Sequence, residues 1–252
     1  MFDCSAVTAA LAAPEADPRL NEAFVRCLPG TGDRGTVLVA GVVHDHPASV
    51  YRVAHLLRTV SPDYLALELP PLALPLFDLY ARDRQMPPHL GGEMSVAIQA
   101  ADRATTVGIN GPTGRYLRLL ADRLRADRPS RSVLRRVLRD VVGGAAHALA
   151  CRLAAALGAV TPVRLRVYAR VEHETSWLDP PSVQADDEAA HFSQHQTFLR
   201  AITVPESTRL VDEARETVMV EKLRDLRARG DVVAVVGMDH LEAVATELER
   251  AG

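Results

Sequence analysis

Residues 36–70 read TVLVAGVVHDHPASVYRVAHLLRTVSPDYLALELP, and their reading decides the fold. Thr36 to Ala40 is an apolar run rich in β-branched residues, which reads as a buried strand. Gly41 ends it, and His44 and His46 follow within a short turn. From Pro47 the apolar period becomes helical, with Val50, Val53, Ala54, Leu57 and Val60 on one face. Pro47 suits a first helical turn, where its missing N–H leaves no partner unsatisfied. Ser61-Pro62-Asp63 stops the helix, and Tyr64 to Glu68 is a second short apolar strand. The unit is β-α-β, so the strands are expected to be parallel and the crossover right-handed. His44 and Glu68 then lie just past the carboxyl ends of neighbouring strands, where open α/β sheets bind ligands.

The C-terminal part repeats half of this pattern. Asp231 to Val236 is an apolar strand, Gly237 ends it, and His240 opens a helix running to about Arg250. The chain thus carries Gly-x-x-His twice, as Gly41-Val-Val-His44 and Gly237-Met-Asp-His240, each where a strand hands over to a helix.

Between these anchors the reading is coarser. Phe24 to Leu28 is a strand candidate, joined to the Thr36 strand through the turn-rich Gly30 to Gly35 and so antiparallel to it. Helices are expected over 72–85 and 93–103, with a loop from Met86 to Gly92, and Thr105 to Ile109 is a third apolar run. From Thr113 to Ala159 the pattern is helical, broken at Asp127-Arg-Pro129, with Ser130 as N-cap of the second helix. Val163 to Val171 alternates apolar and polar residues, which favours a strand. Two more helices are expected, Val183 to Ile202 and Glu206 to Arg229. The fold class is therefore α/β, a mainly parallel central sheet flanked by helices. The whole of 1–252 reads as one domain, with a mostly helical insert at about 113–204.

A net charge of -3 gives no whole-molecule reason to expect nucleic acid. Cys4, Cys27 and Cys151 are odd in number and scattered, which argues against a disulfide framework and fits a reducing cytoplasm. No signal peptide is read at the N-terminus, which lacks a basic n-region. Val141 to Val160 is strongly apolar but contains His147 and Arg152, and reads as a core helix rather than a membrane span. Nine arginines between 115 and 139 face only Asp122, Asp127 and Asp140. Interspersed with Leu and Val at helical spacing, they read as a solvated helix face, an acidic surface or anionic substrate being the alternative. The sequence is compatible with a homo-oligomer without fixing its number.

Gly41-Val-Val-His44, Leu67-Glu68-Leu69, Glu93-Met94 followed by Ala97-Ile98, Arg215-Glu-Thr-Val-Met219 and Gly237-Met-Asp-His240 come in the order found in the TraB/pheromone-shutdown family. The chain resembles that family, part of the TIKI-like superfamily with paired Gly-x-x-His motifs, over roughly 36–112 and 205–250. The resemblance implies an α/β sheet flanked by helices and a metal-dependent hydrolase, with peptide cleavage in some relatives and ester hydrolysis in more distant ones. Three features depart from the family pattern. No Arg lies between Pro70 and Phe77, Gly108-Ile-Asn-Gly111 stands where Gly-Asp-Arg is usual, and the second His motif, which usually carries a further Gly, reads His240-Leu-Glu-Ala-Val.

Two neutral imidazoles and a carboxylate at the ends of neighbouring or next-neighbouring strands suit a divalent ion, with zinc, manganese, iron and cobalt not distinguished by the donors. His44 and His240 are then ligands or proton-transfer groups, Glu68 a ligand or general base, and Arg215 the group that stabilises a developing oxyanion. His46 and Asp45 adjoin the first motif and Asp239 sits inside the second, as additional ligand candidates. Glu93, Gly41 and Gly237 are secondary site residues, although the helix dipole alone would favour a carboxylate at Glu93. His191 and His195, one helical turn apart, lack the Glu of a His-Glu-x-x-His motif and read as an exposed polar face. The expected substrate is a small peptide or an ester-like molecule. The alternative is a non-catalytic relative that binds or sequesters a peptide or anion in the same pocket.

Overall fold

The computed structural model describes residues 2–250 apart from 14, 84, 86–87, 102 and 202–203, and gives the backbone alone at 198–201. The chain opens with helix α1 (Cys4–Leu11) and two short 3₁₀ turns, then strands β1 (Val25–Leu28) and β2 (Val37–Val42). Helix α2 (Pro47–Val60), strand β3 (Tyr64–Leu67), helices α3 (Leu74–Ala81) and α4 (Gly92–Ala100) and strand β4 (Thr105–Gly108) follow. Helices α5 (Gly114–Asp127), α6 (Arg131–Val160), α7 (Pro181–Ala201) and α8 (Glu206–Arg227) precede strand β5 (Val232–Gly237) and helix α9 (Met238–Arg250). The expected helix ends near Gln85 and Arg103 fall back to Ala81 and Ala100. The loop start at Met86 and the helix end at Ile202 lie outside the described residues.

The sheet order is β1-β2-β5-β3-β4, with β1 antiparallel to β2 and every other pairing parallel. An α/β fold with a mainly parallel sheet is thus what the chain adopts. One expectation is corrected. β2 and β3 run parallel but are not neighbours, because β5 lies between them and hydrogen-bonds to both. β5 takes the centre because nothing in Val232 to Val236 needs water: all five side chains are buried on both faces.

Alternation along each strand divides the core in two. Leu38, Ala40, Leu65, Leu67, Val233 and Val235 face α2, α3, α4 and α6. Val37, Val39, Ala66, Val232, Ala234 and Val236 face α8 and α9. At the end of β2, Asp45 adopts a left-handed φ of 60° and His46 caps α2, its Nδ1 accepting the Ala48 N–H at 3.1 Å. An Asp tolerates that conformation better than a bulky residue would.

Three further expectations are corrected. Val163 to Val171 forms no strand, since both its faces lack a sheet edge to join; it crosses the molecule as irregular chain, with Val163, Leu165 and Val171 largely exposed. The Val141–Val160 part of α6 is not a core helix. It packs on α3 and α8 along one side only and exposes the other. Cys4 and Cys27 are joined in a disulfide, 23 residues apart in sequence, which ties α1 to β1. The cysteine count hid this pair because Cys151, alone and buried in the core, makes the total odd. By the entropy of closing such a loop, Cys4→Ser should lower the unfolding free energy by about 3 kcal/mol. Denaturant titrations should show that loss without reductant and no difference between variant and parent once excess dithiothreitol is present.

Candidate functional site

The C-terminal ends of β2, β5 and β3 bring His44, Glu68 and His240 together. Glu68 continues β3 by one residue and is fixed at both oxygens. Gly237 N–H donates to its Oε2 at 2.6 Å, and the Asn110 amide donates to its Oε1 at 3.2 Å. His240, in the first turn of α9, sets its Nε2 3.5 Å from Glu68 Oε1. A side-chain carbon at Gly237 would lie 3.4 Å from Glu68 Oε2 and 3.7 Å from His44 Nε2. Both atoms therefore look onto the hollow that this glycine leaves open.

Each histidine is held from behind by a carboxylate. His44 Nδ1 is 2.6 Å from Glu93 Oε1, and the other Glu93 oxygen accepts the Asp45 N–H at 2.9 Å. Glu93 itself is buried in the first turn of α4. That turn can approach so closely because Gly92, at φ +48°, has no Cβ; one built there would sit 2.3 Å from Asp45 Oδ1. His240 Nδ1 is 2.9 Å from Glu216 Oε1, on α8. Both imidazoles thus engage a carboxylate through Nδ1, with Nε2 of His240 turned toward Glu68 and Nε2 of His44 turned to the hollow beside Gly237, the arrangement by which a carboxylate behind the ring orients a metal-ligating histidine.

The charges follow from these contacts. Glu93 above all, then Glu68 and Asp45, raise the His44 pKa to about 9 against the opposing effect of burial. For His240 burial acts to lower the value, but Glu216, Glu68 and Asp212 outweigh it and leave it raised. Burial likewise opposes ionisation of Glu93, yet His44 and the Asp45 N–H hold its pKa below the usual carboxylate range. For the two histidines the folded pKa exceeds the unfolded one. Their stabilising contribution is complete below pH 6.5 and is lost as the pH rises, for His44 through about 9. The denaturation midpoint of the metal-free chain should fall across that window, and fall less in His44→Gln.

Two hollows flank His44. The larger, about 310 Å³, has His44, Glu68 and Glu93 at one end and Leu69, Phe77 and Met94 among its walls. The smaller, about 180 Å³, is bounded by His191, His195, Phe192 and Asp239. The irregular segment after α6 closes over them. Val171 N–H donates to Asp45 Oδ2 at 3.0 Å, and His173 Nε2 lies 2.8 Å from the His44 carbonyl oxygen.

Other expected site residues go elsewhere. His46 is fully buried and uses both ring nitrogens, Nδ1 on the α2 cap and Nε2 at 3.1 Å from Asp187, which leaves none for an ion. Asp239 faces His195 at 3.1 Å instead of joining Glu68. Arg215 lies 3.6 Å from Asp212 and lines neither hollow. Gly41 serves packing: a Cβ there would meet Met238 and Leu241 of α9 at 2.5 and 2.9 Å. Two partners were not anticipated. Glu216 sits inside the motif that drew attention to Arg215, and only the pairing of α8 with α9 turns it toward His240. Asn110, noted as a departure from a family pattern, follows β4 at the same sheet edge, a position that could have flagged it.

By kind, two buttressed imidazoles and a fixed carboxylate fit a divalent ion. Among the described residues, however, no three such side chains already surround a common point. Comparison with protein-family models, with curated proteins and with solved structures finds no match.

Proposed function

We propose that this chain is a metal-dependent hydrolase of TraB/TIKI type, cytoplasmic, acting on a peptide-like or ester-like bond. The observation that carries the reading is that a carboxylate holds Nδ1 of both His44 and His240, while His240 Nε2 lies 3.5 Å from Glu68 and His44 Nε2 looks onto the same hollow beside Gly237. His44, His240 and Glu68 would hold the ion, which when bound would acidify water and polarise a carbonyl. Glu93 and Glu216 keep the two rings in place and fix Nδ1 as the protonated nitrogen. Glu68, anchored by Gly237 and Asn110, has its remaining lone pairs free to face the hollow. The apolar walls of the larger hollow would exclude water from a bound substrate. In a reducing cytoplasm Cys4 and Cys27 would stand as thiols, and the core would hold the fold without the bridge.

A second reading is favoured by the His44 charge. An imidazolium persisting to about pH 9 beside an apolar hollow would fix the carboxylate of a small peptide, or another anion, without turnover. pH separates the two readings. An ion must displace the Nε2 proton, so affinity for Zn²⁺ or Mn²⁺, followed by calorimetry, should rise between pH 6.5 and about 9 and release protons. Anion binding should weaken over the same range. Absence of metal from the purified protein, with ligand binding unchanged in His44→Ala, would set aside both readings of this hollow.

A further inference from the structure

The exposed side of α6 carries an apolar stripe with no partner in the fold. Leu138, Leu153 and Val160 are 61, 63 and 81% exposed, and Leu134, Val142, Leu149 and Leu157 continue the same face. At 1.5 Å per residue the 30-residue helix extends about 45 Å. Arg131, Arg135 and Arg139 lie on or beside this face, with Arg136 and Arg152 at its margins. Among the described residues these five arginines make no ion pair, and the one acid on α6 is Asp140. Gly143 and Gly144 leave the middle of the helix open, with nothing within 4 Å of where a Cβ would be.

Unscreened like charge decides what covers such a face. A second copy packed along α6 would offer these arginines, from the helix itself, Asp140 as the one countercharge. An anionic lipid surface supplies the missing countercharge, and its acyl region accepts Leu and Val while arginine stems reach up to the headgroups. α6 is long and apolar enough to cross a membrane by length and composition. Its opposite side, though, is committed to α3 and α8, with Cys151, Ala154 and Ala155 in the main core. It therefore lies along a surface and does not span. We infer that α6 is a membrane-surface helix that docks the protein, in the plane of the headgroups, on bilayers rich in anionic lipid. This goes beyond the hydrolase reading and does not depend on it.

Sedimentation of the protein with vesicles tests this inference. The protein should pellet with equimolar phosphatidylcholine and phosphatidylglycerol but not with phosphatidylcholine alone, and salt should release it. Exchanging Arg135, Arg136 and Arg139 for Ser should weaken binding about a hundredfold. Leu138→Gln with Leu153→Gln should abolish it, circular dichroism confirming that the exposed changes leave the fold intact. No binding to the anionic vesicles, or equal binding to both compositions, would overturn the inference. So would a dimer in analytical ultracentrifugation that the same leucine changes dissociate, since a second copy would then be what covers the face.

Discussion

Glu68→Gln should abolish metal binding and hydrolysis together, lowering affinity for a divalent ion by at least about 100-fold. The residue is uncharged in the variant but equal in size, so one of the Gly237 and Asn110 donors loses its acceptor to the amide NH2 while the volume filled at the sheet edge is kept. Removing the carboxylate behind an imidazole should do less. Glu216→Ala or Glu93→Ala leaves the ligand in place but free to rotate, a loss of about 10 to 100-fold. The graded order is the informative part. A hollow that merely binds an anion would respond in the opposite sense, because Glu68→Gln removes a negative neighbour of the His44 imidazolium. Calorimetric titration of the three variants distinguishes these outcomes.

The largest effect on stability is expected at Arg52→Ala. This guanidinium is fully buried beneath the Gly-x-x-His turn, pairs with the buried Glu188 of α7, and donates to the Gly41 and Arg19 carbonyls at 3.0 Å each. Ser49 joins the same carboxylate and accepts the Val43 N–H at 2.8 Å, so the network fastens α7 to the end of β2. Truncating one partner strands a buried carboxylate, at a cost of about 3–5 kcal/mol in urea denaturation. The double exchange Arg52→Met with Glu188→Leu should recover much of that loss, because it removes both charges. Should Arg52→Ala prove neutral, the turn that carries His44 is held by something other than this pair.

Much of the frame was legible because its signals are local. The strand-turn-helix passage of 36–60, the antiparallel strand at 25–28, the cap at Ser130 and the strand-to-helix change at Gly237 each follow from a few adjacent residues. What escaped depends on partners distant in sequence. That β5 slips between β2 and β3 is a matter of strand order, which the apolar pattern of Val232 to Val236 does not encode. The alternation of Val163 to Val171 was a real pattern with no sheet edge to meet. Glu216 reaches His240 only through the packing of α8 on α9, and Asn110 reaches Glu68 only through the pairing of β4 with β3. The apolar stretch of α6 was read as core because burial and apolarity usually coincide; here they part, and its exposed side has to be explained by something outside the fold.

Absorption-edge spectroscopy on the Zn²⁺- or Mn²⁺-loaded protein is the most direct measurement of the first coordination shell. Two imidazole nitrogens and at least one carboxylate oxygen are expected at about 2.0–2.2 Å from zinc, with one imidazole lost in His44→Ala and another in His240→Ala. A shell of water alone, or one unchanged by both substitutions, would contradict this ligand set.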